Sequence, residues 1–110
     1  MKAMDIYIAM IDNKDGKFRP ALLIAWSKSE ATIFKITTRY DTKSNMIRRK
    51  YYKITDWKQA GLKQQSYVDT NMAHQLPLSY LTKRKPIGKL TAFDITQLYD
   101  FIQRNRTKER

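Results

Sequence analysis

Short apolar runs with a period of two dominate the first half of the chain. In residues 4–11, Ile6 and Ile8 alternate with Asp5 and Tyr7, which is the pattern of a half-buried β-strand. The turn cluster in residues 12–16 and a second run from Phe18 predict a β-hairpin. This second run includes the apolar residues 21–26, and further strands are predicted over residues 31–36 and 49–54, with a polar turn at 27–30 and an exposed loop at 39–46.

Shorter elements are predicted in the second half of the chain. Residues 56–60 fit one helical turn, and Gly61 is suited to closing it. The elements after this turn are two short strands over residues 66–70 and 72–76, a helical turn over 77–81 and a last strand over 85–90.

The period changes near the carboxyl end, where one amphipathic helix is predicted. Thr91 and Asp94 have the spacing of a capping box, with aspartate where glutamate or glutamine is usual. An apolar stripe beyond them, which includes Leu98 and Phe101, carries the helix to about Arg104. Residues 105–110 contain no apolar side chain and are expected to form a frayed basic tail.

Five to seven short strands followed by a single helix describe a mainly β domain with a C-terminal helix. Such a chain is expected to form a small, partly open β-barrel capped by the helix. With 110 residues, of which 42% are apolar, it has the length of one domain and enough apolar side chains for one core. Residues 1–110 are therefore expected to form a single domain.

The charge of the chain predicts a polyanionic partner. Lysine and arginine number 22 against 10 aspartates and glutamates, which gives a net charge of +12. Nucleic acid is the commonest partner of such a chain, because neutralised phosphates release counterions and the interleaved aromatic rings can stack on bases. An anionic membrane surface is the weaker alternative. The sequence contains no signal peptide and no apolar run that could span a bilayer, so a cytoplasmic protein is expected.

The scarcity of cysteine and histidine excludes several chemistries. With no cysteine, disulfides, thiolate catalysis and cysteine zinc sites are excluded together. His74 is the one histidine, so a single protomer cannot assemble a two-histidine ribonuclease site. Residues 12–16 hint at a calcium loop, but Leu22 would then stand where the bidentate acid belongs. We therefore expect no metal site and no cofactor.

Several short motifs follow one another in a specific order. They are Asp-Ile-Tyr at residues 5–7, Arg-Pro-Ala-Leu-Leu-Ile at 19–24, Ile-Thr-Thr at 36–38, Gly-Leu-x-x-x-Ser-Tyr-Val-Asp at 61–69 and Ile-Gly-Lys-Leu-Thr-x-x-Asp at 87–94. No single motif is strong, whereas their order and spacing are much more specific. From about Asp5 to Phe101 the chain resembles the MazF/PemK toxins, which are bacterial endoribonucleases of toxin–antitoxin pairs.

The resemblance implies a fold, an activity and partners. The fold would be an SH3-like barrel with a C-terminal helix, assembled as a homodimer. The activity would be metal-independent, sequence-specific cleavage of single-stranded RNA such as messenger RNA. Attack by the 2′-hydroxyl would leave 2′,3′-cyclic phosphate and 5′-hydroxyl ends. An acidic cognate antitoxin would cover the RNA site.

The resemblance also implies a catalytic pair, Arg19 of the Arg-Pro motif and Thr37 at the end of the third strand. A guanidinium suits the stabilisation of charge on a five-coordinate phosphorus, because its planar fork grips two phosphate oxygens; proton donation comes second. Thr37 would hold a phosphate oxygen or the attacking hydroxyl. The alternative is that Arg19 forms a surface ion pair and Thr37 is an ordinary strand residue.

Basic and aromatic side chains around this pair are candidates for binding RNA. Unpaired bases stack on aromatic rings, and lysine and arginine contact phosphates. The alternative for any single lysine is a solvated position that only aids solubility. The predicted RNA-binding residues are Lys17, Phe18, Thr38, Arg39, Tyr40, Lys43, Arg48 and Arg49.

Two departures from the family pattern keep a second hypothesis open. Family members usually carry a longer first loop with a glutamate and glycines, whereas here only residues 16–18 separate the turn cluster from Arg19. Met4 stands where a glycine commonly precedes the Asp-Ile-Tyr motif. The second hypothesis is a non-catalytic barrel that binds nucleic acid or protein.

Overall fold

The alternating segments pair into one antiparallel sheet. The computed structural model describes residues 1–11 and 16–108. The strands are β1 (Asp5–Ala9), β2 (Arg19–Trp26), β3 (Glu30–Thr37), β4 (Tyr51–Lys53), β5 (Tyr67–Pro77) and β6 (Gly88–Lys89). The helices are α1 (Asn45–Arg48), α2 (Ser79–Thr82) and α3 (Ala92–Lys108). The strand order is β4-β5-β3-β2-β1-β6, and the prediction of a mainly β chain with a C-terminal helix is confirmed.

The sheet is open between its two edge strands. β4 and β6 stand at opposite ends of the strand order, and the described part of the chain contains no pairing between them. The register shifts between Leu23 and Ala25 and again between Ile33 and Lys35. Because irregularities of this kind bend and twist the strands that carry them, they introduce local bends into the middle of the sheet.

Cross-strand pairing changes the extent of two predicted strands. β5 is a single strand of 11 residues instead of two short ones, since most of its length pairs with β3. At the predicted interruption, Thr70 donates both its backbone N–H and its hydroxyl to the carbonyl oxygen of Lys50. β6 has only two residues and is shorter than the predicted strand over residues 85–90.

Two helices include residues for which the sequence pattern predicts no helix. α1 begins at Asn45, inside the predicted exposed loop, and Ser44 caps it by accepting a hydrogen bond from the N–H of Ile47. α3 continues past Arg104 to Lys108, so the predicted tail is helical over its first residues. The predicted turn at residues 12–15 and the last two residues of the tail lie outside the described residues.

The two faces of the sheet are covered unequally. One face, called the helix face here, packs against α3, and its core includes Ile6, Leu22, Ile36, Tyr52, Val68 and Leu98. The opposite face, called the open face, is covered at one end by α2, and the cluster there includes Tyr7, Ala21, Leu23, Ile33 and Leu81. Full burial of an aliphatic side chain stabilises a fold by about 1.5–3 kcal/mol, so both clusters contribute to stability.

A buried carboxylate joins α3 to β4. The N–H of Asp94 donates to the Thr91 hydroxyl at 3.4 Å, which is one half of the predicted capping box. The Asp94 carboxylate is fully buried and accepts hydrogen bonds from the Tyr52 hydroxyl at 2.5 Å and from the N–H groups of Thr55 and Asp56 at 2.9 and 2.8 Å. Burial, and then the Asp94 carboxylate, raise the pKa of Tyr52 above the ordinary value of 10.0. The phenol therefore remains a donor to Asp94.

Two glycines allow β6 to approach the turn that precedes β5. Gly61 adopts a φ of +92°, and a Cβ there would lie 2.4 Å from the carbonyl oxygen of Ile87. A Cβ on Gly88 would lie 1.9 Å from the carbonyl oxygen of Ala60. Because both obstacles are backbone atoms, a side chain at either position would push β6 away from this turn.

Candidate active site

The register of β2 and β3 brings the predicted catalytic pair together. Ala21 pairs with Lys35 on the neighbouring antiparallel strand. The paired ladder ends there, and Arg19 and Thr37 each lie two residues beyond this pair at the same end of the sheet. Because side chains two residues apart in a strand project from the same side, both project from the open face. Arg19 and Thr37 both line one cleft of about 330 Å³.

The cleft is lined by three residues that were predicted to bind RNA and by four further polar residues that were not predicted. Thr38, Arg39 and Lys43 were predicted to bind RNA, and all three line it. The additional polar residues are Lys35, Tyr51, Ser66 and Asp69. Alternation along β3 could have identified Lys35, which stands two residues before Thr37 on the same face.

Asp69 reaches the cleft through pairing that the sequence does not reveal. It lies opposite Lys35 of β3 on one side and opposite Tyr51 of β4 on the other. The N–H of Asn71 donates to its Oδ1 at 2.9 Å, which orients the carboxylate. Burial raises the pKa of Tyr51, and the Asp69 carboxylate raises it further. Tyr51 therefore keeps its proton and is a hydrogen-bond donor.

Thr37 performs a local structural task as well. Its hydroxyl oxygen accepts a hydrogen bond from the N–H of Arg39 at 3.1 Å, which fixes the first turn of the segment after β3. A hydroxyl that accepts a hydrogen bond can still donate its own hydrogen. Thr37 is therefore held in one place and can donate to an oxygen atom in the cleft.

Tyr40 and Arg48 form an aromatic cluster outside the lining of the cleft. The Tyr40 ring stacks on Tyr67 with 4.5 Å between ring centroids, and the guanidinium of Arg48 lies 4.9 Å from the centre of the same ring. The Tyr67 ring and the Arg48 guanidinium cannot occupy the same side of the Tyr40 ring, so together they cover both of its sides. Arg48 also donates to the carbonyl oxygens of Tyr40 and Asp41. This cluster therefore holds residues 38–48 against β5.

Three predicted RNA-binding residues lie elsewhere. Phe18 lines a separate hollow, and Lys17 is its exposed neighbour in the chain. Arg49 is exposed, and its carbonyl oxygen accepts a hydrogen bond from the side-chain amide of Asn105 at 3.0 Å. The structure thus brings five of the ten predicted site residues into one cleft, which are Arg19, Thr37, Thr38, Arg39 and Lys43.

The composition of the cleft favours a phosphate-bearing ligand. Among the described residues that line it, four are cationic and one is a carboxylate, the cations being Arg19, Lys35, Arg39 and Lys43. Hydroxyls of Thr37, Thr38 and Ser66 add neutral donors. Phosphate contacts in nucleic-acid complexes use these side-chain types. The cleft can therefore hold a phosphodiester and still offer one proton acceptor.

No protein-family model matches the chain, and the search of curated proteins finds no significant similarity. Within residues 1–11 and 16–108, no three histidine, aspartate or glutamate side chains are grouped as metal ligands. No helix in the described part of the chain has both the length and the apolar composition that a membrane span requires.

Proposed function

We propose that this protein is the toxin of a type II toxin–antitoxin pair and a metal-independent, sequence-specific endoribonuclease acting on single-stranded RNA. The carrying observation is that Arg19 and Thr37, the pair given by the MazF/PemK resemblance, line one cleft of the open face with three further cations. Side chains 18 residues apart reach this arrangement only through the register of β2 and β3.

A backbone feature supports the resemblance independently. Met4 precedes the Asp-Ile-Tyr motif at a position where the family commonly has glycine, and it adopts a φ of +72°. This left-handed conformation favours glycine and is uncommon for other residues. Met4 therefore adopts a conformation that a glycine at this position would accommodate without strain.

The SH3-like barrel and the homodimer belong to the same proposal. Six antiparallel strands, the bends at the register shifts and a helix on one face support a barrel of this type. The net charge of +12 supports an acidic antitoxin as the partner that masks the cleft. A cytoplasmic location follows from a messenger RNA substrate.

RNA cleavage requires that the charge on phosphorus is stabilised, that the attacking hydroxyl loses a proton and that the departing oxygen gains one. The residues of the cleft suit these three tasks. Arg19 grips two oxygens of the phosphate and stabilises the charge of the five-coordinate phosphorus, while Thr37 donates to one of them. β2 and β5 flank β3, so their backbones are about 10 Å apart, and a phosphodiester bound over β3 would lie between Arg19 and Asp69.

Arginine is a poor base, so another group must accept the proton of the attacking hydroxyl. In this proposal the Asp69 carboxylate accepts it as the bond from O2′ to phosphorus forms. The bond from phosphorus to O5′ breaks, and the ammonium of Lys35 donates a proton to the departing oxygen. The products are a 2′,3′-cyclic phosphate and a 5′-hydroxyl.

The proposed function is tested with a long unstructured RNA and an excess of EDTA. We expect cleavage at a short recurrent sequence, with cyclic phosphate on the upstream fragment and a free 5′-hydroxyl on the downstream one. Intact RNA, combined with salt-sensitive binding of the same RNA, would support the non-catalytic barrel instead. Cleavage that stops in EDTA would contradict the metal-independent mechanism.

Replacing Asp69 with asparagine tests whether Asp69 acts as the general base or only contributes to RNA binding. We expect Asp69→Asn to cut about 10²-fold more slowly, because it removes the general base. The affinity for uncut RNA should stay equal or increase, since the substitution removes a negative charge from a site that binds an anion. Single-turnover rates and equilibrium binding check this, with Asp100→Asn on the exposed side of α3 as the matched control. Equal losses of rate and affinity would contradict the role of Asp69.

A further inference from the structure

A second hollow adjoins the cleft on the open face of the sheet. In the β1–β2 ladder, Ala9 lies directly opposite Arg19. Ala9 lines the second hollow, whereas Arg19 lines the cleft. Directly opposite residues have Cβ atoms about 5 Å apart, so the two depressions meet at this pair. The hollow measures about 480 Å³ and is lined by Ala9, Met10, Phe18, Ser79, Tyr80, Lys83 and Arg84.

The hollow combines exposed aromatic rings with cations. Phe18 is 50% exposed, and the guanidinium of Arg84 lies 4.6 Å from the centre of its ring. Tyr80 is 43% exposed, and Lys83 lies one helical turn beyond Ser79 on the same side. Ala9 and Met10 provide an apolar wall. Exposed apolar groups that are rimmed by polar side chains in this way mark an interaction or ligand-binding site.

We propose that this hollow is a nucleotide subsite, in which an unpaired base of the bound RNA stacks on Phe18 and Tyr80 beside the cut phosphate. The inference rests on the proposed function, because it places this base next to a phosphate held at Arg19. Bases of single-stranded RNA stack on aromatic rings and on arginine planes, and Arg84 already adopts such a stacked geometry over Phe18. The volume falls in the range of ligand sites.

Charge distinguishes this occupant from a second copy of the chain. A self-complementary contact at the hollow would bring Lys83 and Arg84 of two copies close together, which is unfavourable. A nucleotide instead supplies a flat base for the rings and a phosphate for the cations. The subsite would hold one base of the RNA at a position next to the cut.

Matched variants with an uncleavable RNA test the subsite. The probe is a fluorescent oligonucleotide of the mapped cut sequence, or of mixed sequence if no cut is found, with a 2′-deoxy sugar at the cut position. Phe18→Ala and Tyr80→Ala should each weaken binding about tenfold in fluorescence anisotropy. The controls are Phe93→Ala and Tyr99→Ala, whose side chains on α3 are 52% and 58% exposed. Circular dichroism checks that all four variants are folded.

An abasic scan identifies the base that occupies the hollow. Removing one base next to the cut should weaken binding to the parent protein about tenfold. The same removal should have a smaller effect on Phe18→Ala, because one of the two rings that the base contacts is already missing.

The outcomes separate the subsite from the proposed function. Variants that bind RNA like their controls overturn the subsite, even where the parent protein cuts RNA. Variants that change the oligomeric state in light scattering while RNA affinity stays constant also overturn it and indicate a contact between copies. A parent protein that cuts nothing, while Phe18→Ala and Tyr80→Ala still lose affinity, contradicts the nuclease and leaves the subsite supported.

Discussion

Replacing Arg19 with alanine should lower the rate of RNA cleavage by at least about 10²- to 10³-fold. The variant loses the group proposed to neutralise the five-coordinate phosphorus, and the remaining cations of the cleft stand on other parts of its lining. Arg19→Lys should recover only part of the rate, because an ammonium keeps the charge but cannot grip two oxygens at once. Single-turnover cleavage of one RNA with a mapped cut site measures both effects.

A charge-matched control makes the Arg19 experiment specific. Arg104 is also an arginine, but it lies exposed on α3 and pairs with Asp100 at 3.2 Å. Arg104→Ala therefore changes the net charge by the same amount at a distance from the cleft. We expect its cleavage rate to stay within about twofold of the parent rate, since exposed pairs of this kind contribute little. An Arg19→Ala protein that cuts as fast as Arg104→Ala would refute the proposed site.

The second large effect concerns stability. Asp94→Ala should reduce the free energy of unfolding by about 3–4 kcal/mol. The substitution leaves the Tyr52 hydroxyl and the N–H groups of Thr55 and Asp56 without their acceptor, and it leaves a gap between α3 and β4. Urea unfolding followed by circular dichroism gives the value directly.

The same helix offers the control for Asp94. Asp100 is exposed and makes an ion pair with Arg104 one turn along α3. Asp100→Ala should cost no more than about 0.5 kcal/mol. If Asp94→Ala unfolds at the same urea concentration as Asp100→Ala, the buried hydrogen bonds contribute far less than their geometry indicates.

The sequence predicts a strand well where the local pattern of apolar residues defines it. It predicts a strand poorly where pairing with other strands defines its extent. β1 and β2 follow from the apolar periods around Ile6 and Leu22, which become the helix face of the sheet. The continuity of β5 could not be predicted, because the residues around Thr70 are polar, and only the pairing of the flanking segments with β3 and the Lys50 carbonyl keep them in one strand. The extension of α3 past Arg104 is likewise invisible to apolar periodicity.

The sequence likewise predicts only part of the candidate site, because pairing between distant segments completes it. Motifs identify Arg19 and Thr37, but their common cleft depends on a register that joins separate segments. Lys35 stands on the same face as Thr37 by simple alternation, whereas Asp69 is placed by pairing with two strands at once. Phe18 precedes Arg19 directly, yet it lines the neighbouring hollow. The sequence predicts Phe18 and Tyr40 as stacking surfaces because both stand near the proposed pair, which cannot distinguish Phe18 from the covered ring of Tyr40.

The unequal covering of the two sheet faces has a practical consequence. Much of the scaffold's stability comes from the side beneath α3, while the groups proposed for chemistry project from the other side. Exchanges of the cleft residues should therefore leave the fold intact. Such variants would be suitable for crystallisation with an uncut transcript, and they would allow specificity to be redesigned without rebuilding the core.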